Sequence, residues 1–148
     1  MTKKLLFVCS GNICRSPMAL GIARAYAIKH GIAAEVDSAG TLMIEGREAD
    51  PKAVAACRDI GIDLSTHRSK GIQQEHVEWA DYVLTMEAHH GAFVSTHFPE
   101  SRHKVVCLAH LIGEVGVPDP IGRNPRFFKK NRTMVERAVE AFLQRLPR

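Results

Sequence analysis

The chain has 148 residues, of which 45% are hydrophobic and 24% charged, and its formal net charge is +4 at pH 7. These values are ordinary for a globular protein and predict a single domain over residues 1–148. The longest apolar runs are too short to span a membrane or to form a signal peptide. With four cysteines and no export signal, we expect a cytoplasmic protein with reduced thiols.

Strands and helices are predicted to alternate from the start of the chain. The apolar run Leu5–Cys9 is typical of a buried strand. Ser16 followed by Pro17 is a typical helix start, because the hydroxyl can cap the helix and a first-position proline loses no hydrogen bond. This helix is predicted to end at Gly31, and a short strand over 35–37 follows it.

The second half continues the alternation. Asp50 before Pro51 predicts another capped helix, which Gly61 ends. We then predict a strand over 81–86, a poorly patterned helix over 87–96 and a valine-rich strand over 104–108. A loop at 118–120 and an amphipathic helix over 135–146 follow. The alternation predicts an α/β fold, a three-layer α/β/α sandwich with a central four-stranded parallel sheet, Rossmann-like. Ligands bind such sheets beyond the carboxyl ends of the strands, where Cys9 is expected.

The segment CSGNICRSP combines a thiol, a permissive backbone and a cation at the end of the first strand. Gly11 and Asn12 tolerate left-handed conformations, so the loop can direct several N–H groups at one anion. Arg15 adds a planar fork that matches two phosphate oxygens. Cys9 would then be a thiolate placed to attack phosphorus, with Ser16 as a hydroxyl donor to it. A buried structural cysteine is the alternative, but these residue types in this order favour the phosphate site.

The longer string VCSGNICRSP closely resembles the signature of the low molecular weight protein tyrosine phosphatases. Further landmarks of that family follow in the family's order along nearly the whole chain. They are Ser38-Ala39-Gly40-Thr41, Asp50-Pro51, His67-Arg68, the segment 81–86 and Pro118-Asp119-Pro120.

The resemblance implies a role for each matching residue. Cys9 would be the nucleophile that forms a phosphocysteine intermediate, and Arg15 would bind the phosphate. Asp119 would protonate the leaving oxygen and then activate water. No metal or other cofactor is expected. The remaining site residues are those of the phosphate-binding loop and a network that supports it, namely Ser10, Gly11, Asn12, Ile13, Cys14 and Ser16, then Ser38 and His67.

The expected entrance to the site departs from the tyrosine-specific pattern, in which aromatic side chains form the walls. Here aliphatic residues at 42–44 and Ile121 occupy those segments, and Phe127 and Phe128 are predicted to pack the final helix instead. Protein arginine phosphatases share the fold and signature but have threonine at the position of Ile13. The isoleucine therefore favours phosphotyrosine, whereas the short segment after Asp-Pro weakly favours phosphoarginine.

Two other functions stay open. Arsenate reductases of this fold need two further cysteines close together, whereas Cys57 and Cys107 are far apart and predicted to be buried. A phosphate-binding module without catalysis would not need Cys9, Arg15 and Asp119 together. We expect phosphorylated proteins or small aryl phosphates as partners, with no nucleic acid and no membrane insertion, and make no prediction of oligomeric state.

Two further expectations concern regulation and recognition. Cys14 lies on the same loop as Cys9, and the resemblance agrees with a reversible disulfide between them that protects the nucleophile. The segment after Asp119 is basic and is expected to attract acidic phosphopeptides to the site. Its cations are Arg123, Arg126, Lys129, Lys130 and Arg132.

Overall fold

The computed structural model describes residues 1–147. Four parallel strands form one sheet in the order β2-β1-β3-β4. The strands are β1 Lys3–Cys9, β2 Ala34–Gly40, β3 Tyr82–Thr85 and β4 Val105–Cys107. The α-helices are α1 Arg15–His30, α2 Pro51–Arg58, α3 Gln74–Trp79, α4 Ala88–His97 and α5 Pro125–Gln144. The predicted α/β fold around a four-stranded parallel sheet is confirmed.

Side chains of β1 alternate between two hydrophobic cores, one on each face of the sheet. Leu5 and Phe7 belong to the core that contains the buried sides of α1, α2 and α5. Leu6 and Val8 belong to the core that includes residues of α3 and α4. Successive strand residues point to opposite faces, so β1 is apolar throughout because helices cover both faces. Each of these buried side chains contributes roughly 1.5–3 kcal/mol to stability.

The register of the sheet places the carboxyl ends of all the strands at one edge. Cys9, the last residue of β1, is paired with Gly40 of β2. On the other side Val8 is paired with Thr85, which is paired in turn with Cys107 of β4. The loop that follows Cys9 therefore begins at the edge where ligands of such sheets bind.

The lengths of several elements differ from the sequence prediction. The strand predicted over 35–37 extends to Gly40, since its far end pairs with β1 on one side and with Gly71 on the other. Helix α3 was not predicted, because six residues with the single buried residue Val77 are too short to show a helical period. Helix α2 ends at Arg58, three residues before the glycine expected to end it.

The two predicted helix caps have different outcomes. Asp50 caps α2 by accepting a hydrogen bond from the backbone N–H of Lys52 at 2.8 Å. The prediction for Ser16 was wrong, because α1 already begins at Arg15 and its N-cap residue makes no side-chain capping bond. The Ser16 hydroxyl instead bonds within the loop before the helix. Gly31 ends α1 in the left-handed conformation, as predicted, with φ 64°.

The cysteines and phenylalanines outside the site divide between core and surface. Cys57 is fully buried and Phe128 packs in the core, both as expected. Cys107 was expected to be buried but is only half-buried, because it ends the short edge strand β4. Phe127 is also half-buried, with the Arg123 guanidinium 3.9 Å from the centre of its ring. No helix within residues 1–147 is long and apolar enough to cross a membrane.

Candidate active site

The loop between β1 and α1 turns its carbonyl groups outward. Four of its carbonyl oxygens accept hydrogen bonds from other parts of the protein: Cys9 from Thr41 (3.0 Å), Ser10 from Leu42 (3.0 Å), Asn12 from His67 (2.7 Å) and Ile13 from Asp50 (2.8 Å). Within residues 1–147, the backbone N–H groups of residues 11–14 donate to no protein acceptor. Free N–H groups on one curled loop at a helix N-terminus form a site for an anion.

Asn12 maintains the shape of this loop from inside. It is fully buried and has the left-handed backbone conformation expected for it, with φ 58°. Its side-chain amide donates to the hydroxyls of Ser16 (2.7 Å) and Ser38 (2.9 Å), while its side-chain oxygen accepts from the Lys70 N–H (3.0 Å). All the hydrogen-bonding groups of this amide are therefore engaged by the protein, so Asn12 supports the loop rather than facing a ligand.

His67 supports the same loop as a neutral ring. Its Nε2 lies 2.7 Å from the carbonyl oxygen of Asn12, and because a carbonyl only accepts, Nε2 carries the hydrogen. Burial lowers the pKa of His67 below its ordinary value, and the nearby Lys70 and Arg68 act in the same direction. Gly40 is fitted against this loop as well, since an added Cβ would lie 2.5 Å from the Ser10 carbonyl oxygen.

The Cys9 thiol lies at the base of the loop and is in hydrogen-bond contact with Ser16. Its Sγ is 3.0 Å from the Ser16 Oγ. That hydroxyl already accepts from the side-chain amide of Asn12, so its own hydrogen is available to Cys9. A donor held in this way stabilises a thiolate. Ser16, which was predicted to cap α1, is thus the residue that bonds to the sulfur of Cys9.

Arg15 is buried at the first position of α1, with 1% of its surface exposed, and is held rigidly. Its Nη1 donates to the Glu87 carboxylate and to the carbonyl oxygen of Val117 at 2.8 Å, and its Nη2 lies 3.3 Å from Ser10 Oγ. Guanidinium N–H groups beyond these have no protein acceptor within residues 1–147. A guanidinium group that is held in one orientation and has unpaired N–H donors suits a bidentate contact with phosphate.

Asp119 faces the same cavity from the loop before α5. Its Oδ2 is 4.0 Å from Arg15 Nη2, and its Oδ1 accepts from the Ile121 N–H at 3.1 Å. The carboxyl group is half-exposed, so it can exchange protons with water. The cavity measures about 230 Å³ and is lined by Cys9, Ser10, Gly11, Ile13, Cys14, Arg15, Leu42, Ile44, Asp119 and Ile121.

Comparison with known proteins gives the same family over the whole chain. The sequence profile of the low molecular weight phosphotyrosine protein phosphatases matches residues 4–148. The chain belongs to this family. It is 32% identical to a protein-arginine-phosphatase of Geobacillus stearothermophilus, over 99% of this chain and 97% of that one. It is equally 32% identical to the low molecular weight protein-tyrosine-phosphatase Wzb of Escherichia coli K12, with the same coverage of 99% and 97%.

A solved structure of the family superimposes closely. The low molecular weight protein tyrosine phosphatase from T. tengcongensis has a TM-score of 0.93 and 35% identity, with 97% of this chain and 99% of that chain covered. The resemblance found in the sequence is therefore confirmed, and the protein is a phosphatase, a hydrolase with a cysteine at its active site.

Two residues of this phosphatase site, Glu87 and His90, were not predicted from the sequence. Glu87 pairs with Arg15, and the fully buried His90 contacts Ser10 Oγ at 2.9 Å. Both lie at the start of α4, whose weak hydrophobic pattern gave no reason to single them out. The spacing of Glu87 and His90 could have indicated a helix start. A histidine three residues after a helix N-cap can accept a hydrogen bond from the backbone N–H of that cap, as His90 does from Glu87.

In this phosphatase, Asp119→Ala is expected to slow poor leaving groups most. General acid catalysis contributes about 100-fold or more when the departing oxygen needs a proton. We expect that loss in kcat/KM, which reports transfer of the phosphoryl group to Cys9 and not its later hydrolysis, with phenyl phosphate, and a much smaller one with p-nitrophenyl phosphate, whose phenolate leaves readily. Steady-state kinetics on both esters measures the ratio, with the exposed Asp63→Ala as the control. Equal losses of kcat/KM on the two esters would show that Asp119 donates no proton.

Proposed function

We propose that this protein hydrolyses phosphotyrosine in phosphorylated proteins through a phosphocysteine intermediate, in the cytoplasm. The observation that carries the proposal is the position of the Cys9 thiol. It is in hydrogen-bond contact with the Ser16 hydroxyl and lies below a loop whose N–H groups are free, beside the buried Arg15. A thiolate at the base of an anion site is placed to attack the phosphorus of a bound ester.

The first step transfers the phosphoryl group to sulfur. The Cys9 thiolate attacks phosphorus while the bond to the tyrosyl oxygen breaks. Arg15 and the loop N–H groups bind the phosphoryl oxygens, whose charge they stabilise through the transition state. Asp119, which faces the same cavity, donates its proton to the departing phenolate oxygen.

The second step releases phosphate. Asp119, now a carboxylate, accepts a proton from a water molecule whose oxygen attacks the phosphocysteine. The phosphorus–sulfur bond breaks, and the Ser16 hydroxyl stabilises the returning Cys9 thiolate. Each role in this sequence falls to a side chain or a backbone N–H group of the protein, and the half-exposed position of Asp119 gives water access to it.

The walls of the cavity favour an aromatic substrate. Ile13, Leu42, Ile44 and Ile121 line the cavity with aliphatic surface, and the last three lie in the segments where tyrosine-specific members of the family have aromatic walls. Burying a neutral phenyl ring against such walls is favourable, whereas these four side chains offer a guanidinium group no hydrogen-bond acceptor and leave Asp119 as the acidic residue of the lining. A protein arginine phosphatase remains the second candidate, because a relative of that name is as similar to this chain as the named tyrosine phosphatase.

The test of this proposal is a comparison of kcat/KM on one peptide carrying phosphotyrosine, phosphoserine or phosphoarginine. We expect phosphotyrosine to be turned over at least about tenfold faster than either of the others, which corresponds to 1.4 kcal/mol. Ile13→Thr replaces one aliphatic wall residue by a smaller one that carries a hydroxyl. We expect this variant to have a smaller preference for phosphotyrosine over phosphoarginine. Preference of the natural protein for phosphoarginine would replace the proposed substrate by the second candidate.

We also predict a reversible disulfide between Cys9 and Cys14. Peroxide would oxidise the Cys9 thiolate to sulfenic acid, and the Cys14 sulfur would displace water from it to form the bond. Burial raises the pKa of Cys14, and the nearby Asp50 adds to this, so the link should form faster as pH rises. Mass spectrometry after mild peroxide measures it, with Cys107→Ser as a control that keeps the pair. Sulfinic acid on Cys9 without a Cys9–Cys14 link would contradict the prediction.

The basic segment after Asp119 is predicted to select acidic phosphopeptides at low salt. Lys129 pairs with Asp59 at 3.1 Å and Arg132 with Glu136 at 3.7 Å, so both are engaged in the packing of α5. Arg126 and Lys130 are exposed, and Arg123 stacks on Phe127. The charge available to a peptide therefore lies mainly in these last three residues.

Arg123→Glu with Arg126→Glu should raise KM for an acidic phosphotyrosine peptide several-fold and leave that for p-nitrophenyl phosphate nearly unchanged. The peptide effect should shrink with added salt, which screens exposed charges beyond about 10 Å at 0.1 M. Arg24→Glu with Lys29→Glu makes the same charge change on α1 and serves as the control. Equal effects on both substrates would contradict a role in selection.

A further inference from the structure

His90 lies directly behind the phosphate-binding loop and connects it to α4. Its side chain is fully buried in the first turn of that helix. The ring accepts a hydrogen bond at Nδ1 from the backbone N–H of Glu87 at 3.0 Å, and its Nε2 is 2.9 Å from Ser10 Oγ. Both ring nitrogens are thus engaged, one at the helix and one at the loop.

These contacts determine the tautomer of the ring. A backbone N–H can only donate, so Nδ1 of His90 carries no hydrogen and the neutral ring carries it on Nε2. Nε2–H therefore donates to Ser10 Oγ. Burial lowers the pKa of His90 to about 3, and Arg15 and His89 act in the same direction. The ring is neutral at any pH near 7, which keeps this hydrogen bond in one direction.

Because His90 donates to the Ser10 hydroxyl, that hydroxyl has only its own hydrogen left for a further hydrogen bond. Its oxygen accepts from His90 Nε2–H and from Arg15 Nη2–H at 3.3 Å, which occupies both of its acceptor sites. Its hydrogen has no protein acceptor within residues 1–147, and Ser10 lines the cavity together with Cys9, Arg15 and Asp119. The hydroxyl can therefore only donate, and the open direction is the cavity.

We infer that His90 is a positioning residue that holds the Ser10 hydroxyl as a hydrogen-bond donor to the bound phosphoryl group. This inference rests on the proposed function, because it takes a phosphoryl group as the ligand of the cavity. The same ring fixes the backbone of Glu87, whose carboxylate pairs with Arg15. His90 thus supports two neighbouring groups of the phosphate site, Ser10 directly and Arg15 through Glu87.

The two ring nitrogens can be separated by substitution. His90→Asn places a side-chain oxygen near Nδ1 for the Glu87 N–H but is too short to reach Ser10. His90→Gln places an amide N–H near Nε2 and restores the donor to Ser10. Ser10→Ala removes the hydroxyl alone, and His97→Asn is a matched change at an exposed position of the same helix. Steady-state kinetics on p-nitrophenyl phosphate, calorimetric binding of inorganic phosphate and thermal melting are measured for each.

Ser10→Ala is expected to lower kcat/KM about tenfold and to weaken phosphate binding, the effect of losing one hydrogen bond to a charged group. His90→Asn should do the same, His90→Gln should recover most of the loss, and Ser10→Ala with His90→Asn should be no worse than Ser10→Ala. His97→Asn should have no effect.

Three results would overturn the inference. The first is a Ser10→Ala variant with unchanged kcat/KM and phosphate affinity. The second is losses of kcat/KM in Ser10→Ala and His90→Asn that multiply in the double variant. The third is losses that follow the melting temperature alone, since a purely structural histidine would act through stability. An inactive natural protein that binds phosphate would refute the proposed hydrolysis only, because the phosphate affinities of these variants would still test Ser10 and His90.

Discussion

Replacing Cys9 by serine is expected to abolish turnover and to leave phosphate binding in place. The hydroxyl of a serine is a far weaker nucleophile than a thiolate, so kcat on p-nitrophenyl phosphate should fall about 10,000-fold or more. The phosphate-binding loop does not depend on the sulfur, because the loop N–H groups, Arg15 and the hydrogen bonds of Asn12 are unchanged. Steady-state kinetics and calorimetric binding of inorganic phosphate measure the two effects separately.

Cys107→Ser is the matched control for this change, since it replaces a half-buried thiol away from the cavity. It should keep kcat within about twofold of the natural protein, as surface substitutions away from special features usually do. Normal turnover by Cys9→Ser would refute a cysteine nucleophile at this position. Loss of phosphate binding with intact melting temperature would instead show that the sulfur itself holds the ligand.

Replacing Arg15 by alanine is expected to remove binding and rate together. This side chain is the buried cation nearest the expected phosphoryl oxygens, and the loss of such a stabilising donor group costs about 100- to 1,000-fold in kcat. Phosphate affinity should also fall, because the fork binds the ground state as well as the transition state. Kinetics on p-nitrophenyl phosphate and calorimetry of inorganic phosphate report both.

Arg15→Lys separates charge from geometry in this site. Lysine keeps the positive charge beside Glu87 but lacks the planar fork, so we expect it to bind phosphate better than Arg15→Ala and still to lose most of the rate. Arg24→Ala removes an arginine from the exposed face of the same helix and serves as the control. If Arg15→Lys worked as well as arginine, a point charge would suffice and the bidentate contact would be wrong.

The part of the site that was predicted from the residues themselves, without the family resemblance, is contiguous in the chain. The curled loop follows from the order of residues 9–17 alone, since Asn12 adopts the left-handed conformation and the helix begins where the loop ends. Asp119 was different, because an Asp-Pro turn is uninformative by itself. Only its resemblance to a family landmark, together with the opening motif, gave it a predicted role, and that role stays a prediction here.

The parts that sequence reasoning missed depend on segments distant along the chain. Glu87 lies 72 residues from Arg15, and His90 lies 80 residues from Ser10. They meet because β3 is paired directly beside β1, so the start of α4 falls next to the loop after Cys9. No local pattern carries this information.

The sequence by itself determined the alternation of strands and helices, the parallel sheet, the loop at its carboxyl edge and the family. These follow from short-range backbone preferences and from apolar patterning, which are written in consecutive residues. The tertiary structure alone decided that Ser16 bonds to Cys9 instead of capping α1, that Glu87 and His90 support the site, and that Cys107 is half-buried. The physical reason is that hydrogen-bond partners and exposure depend on which strands become neighbours, and long-range pairing sets that order.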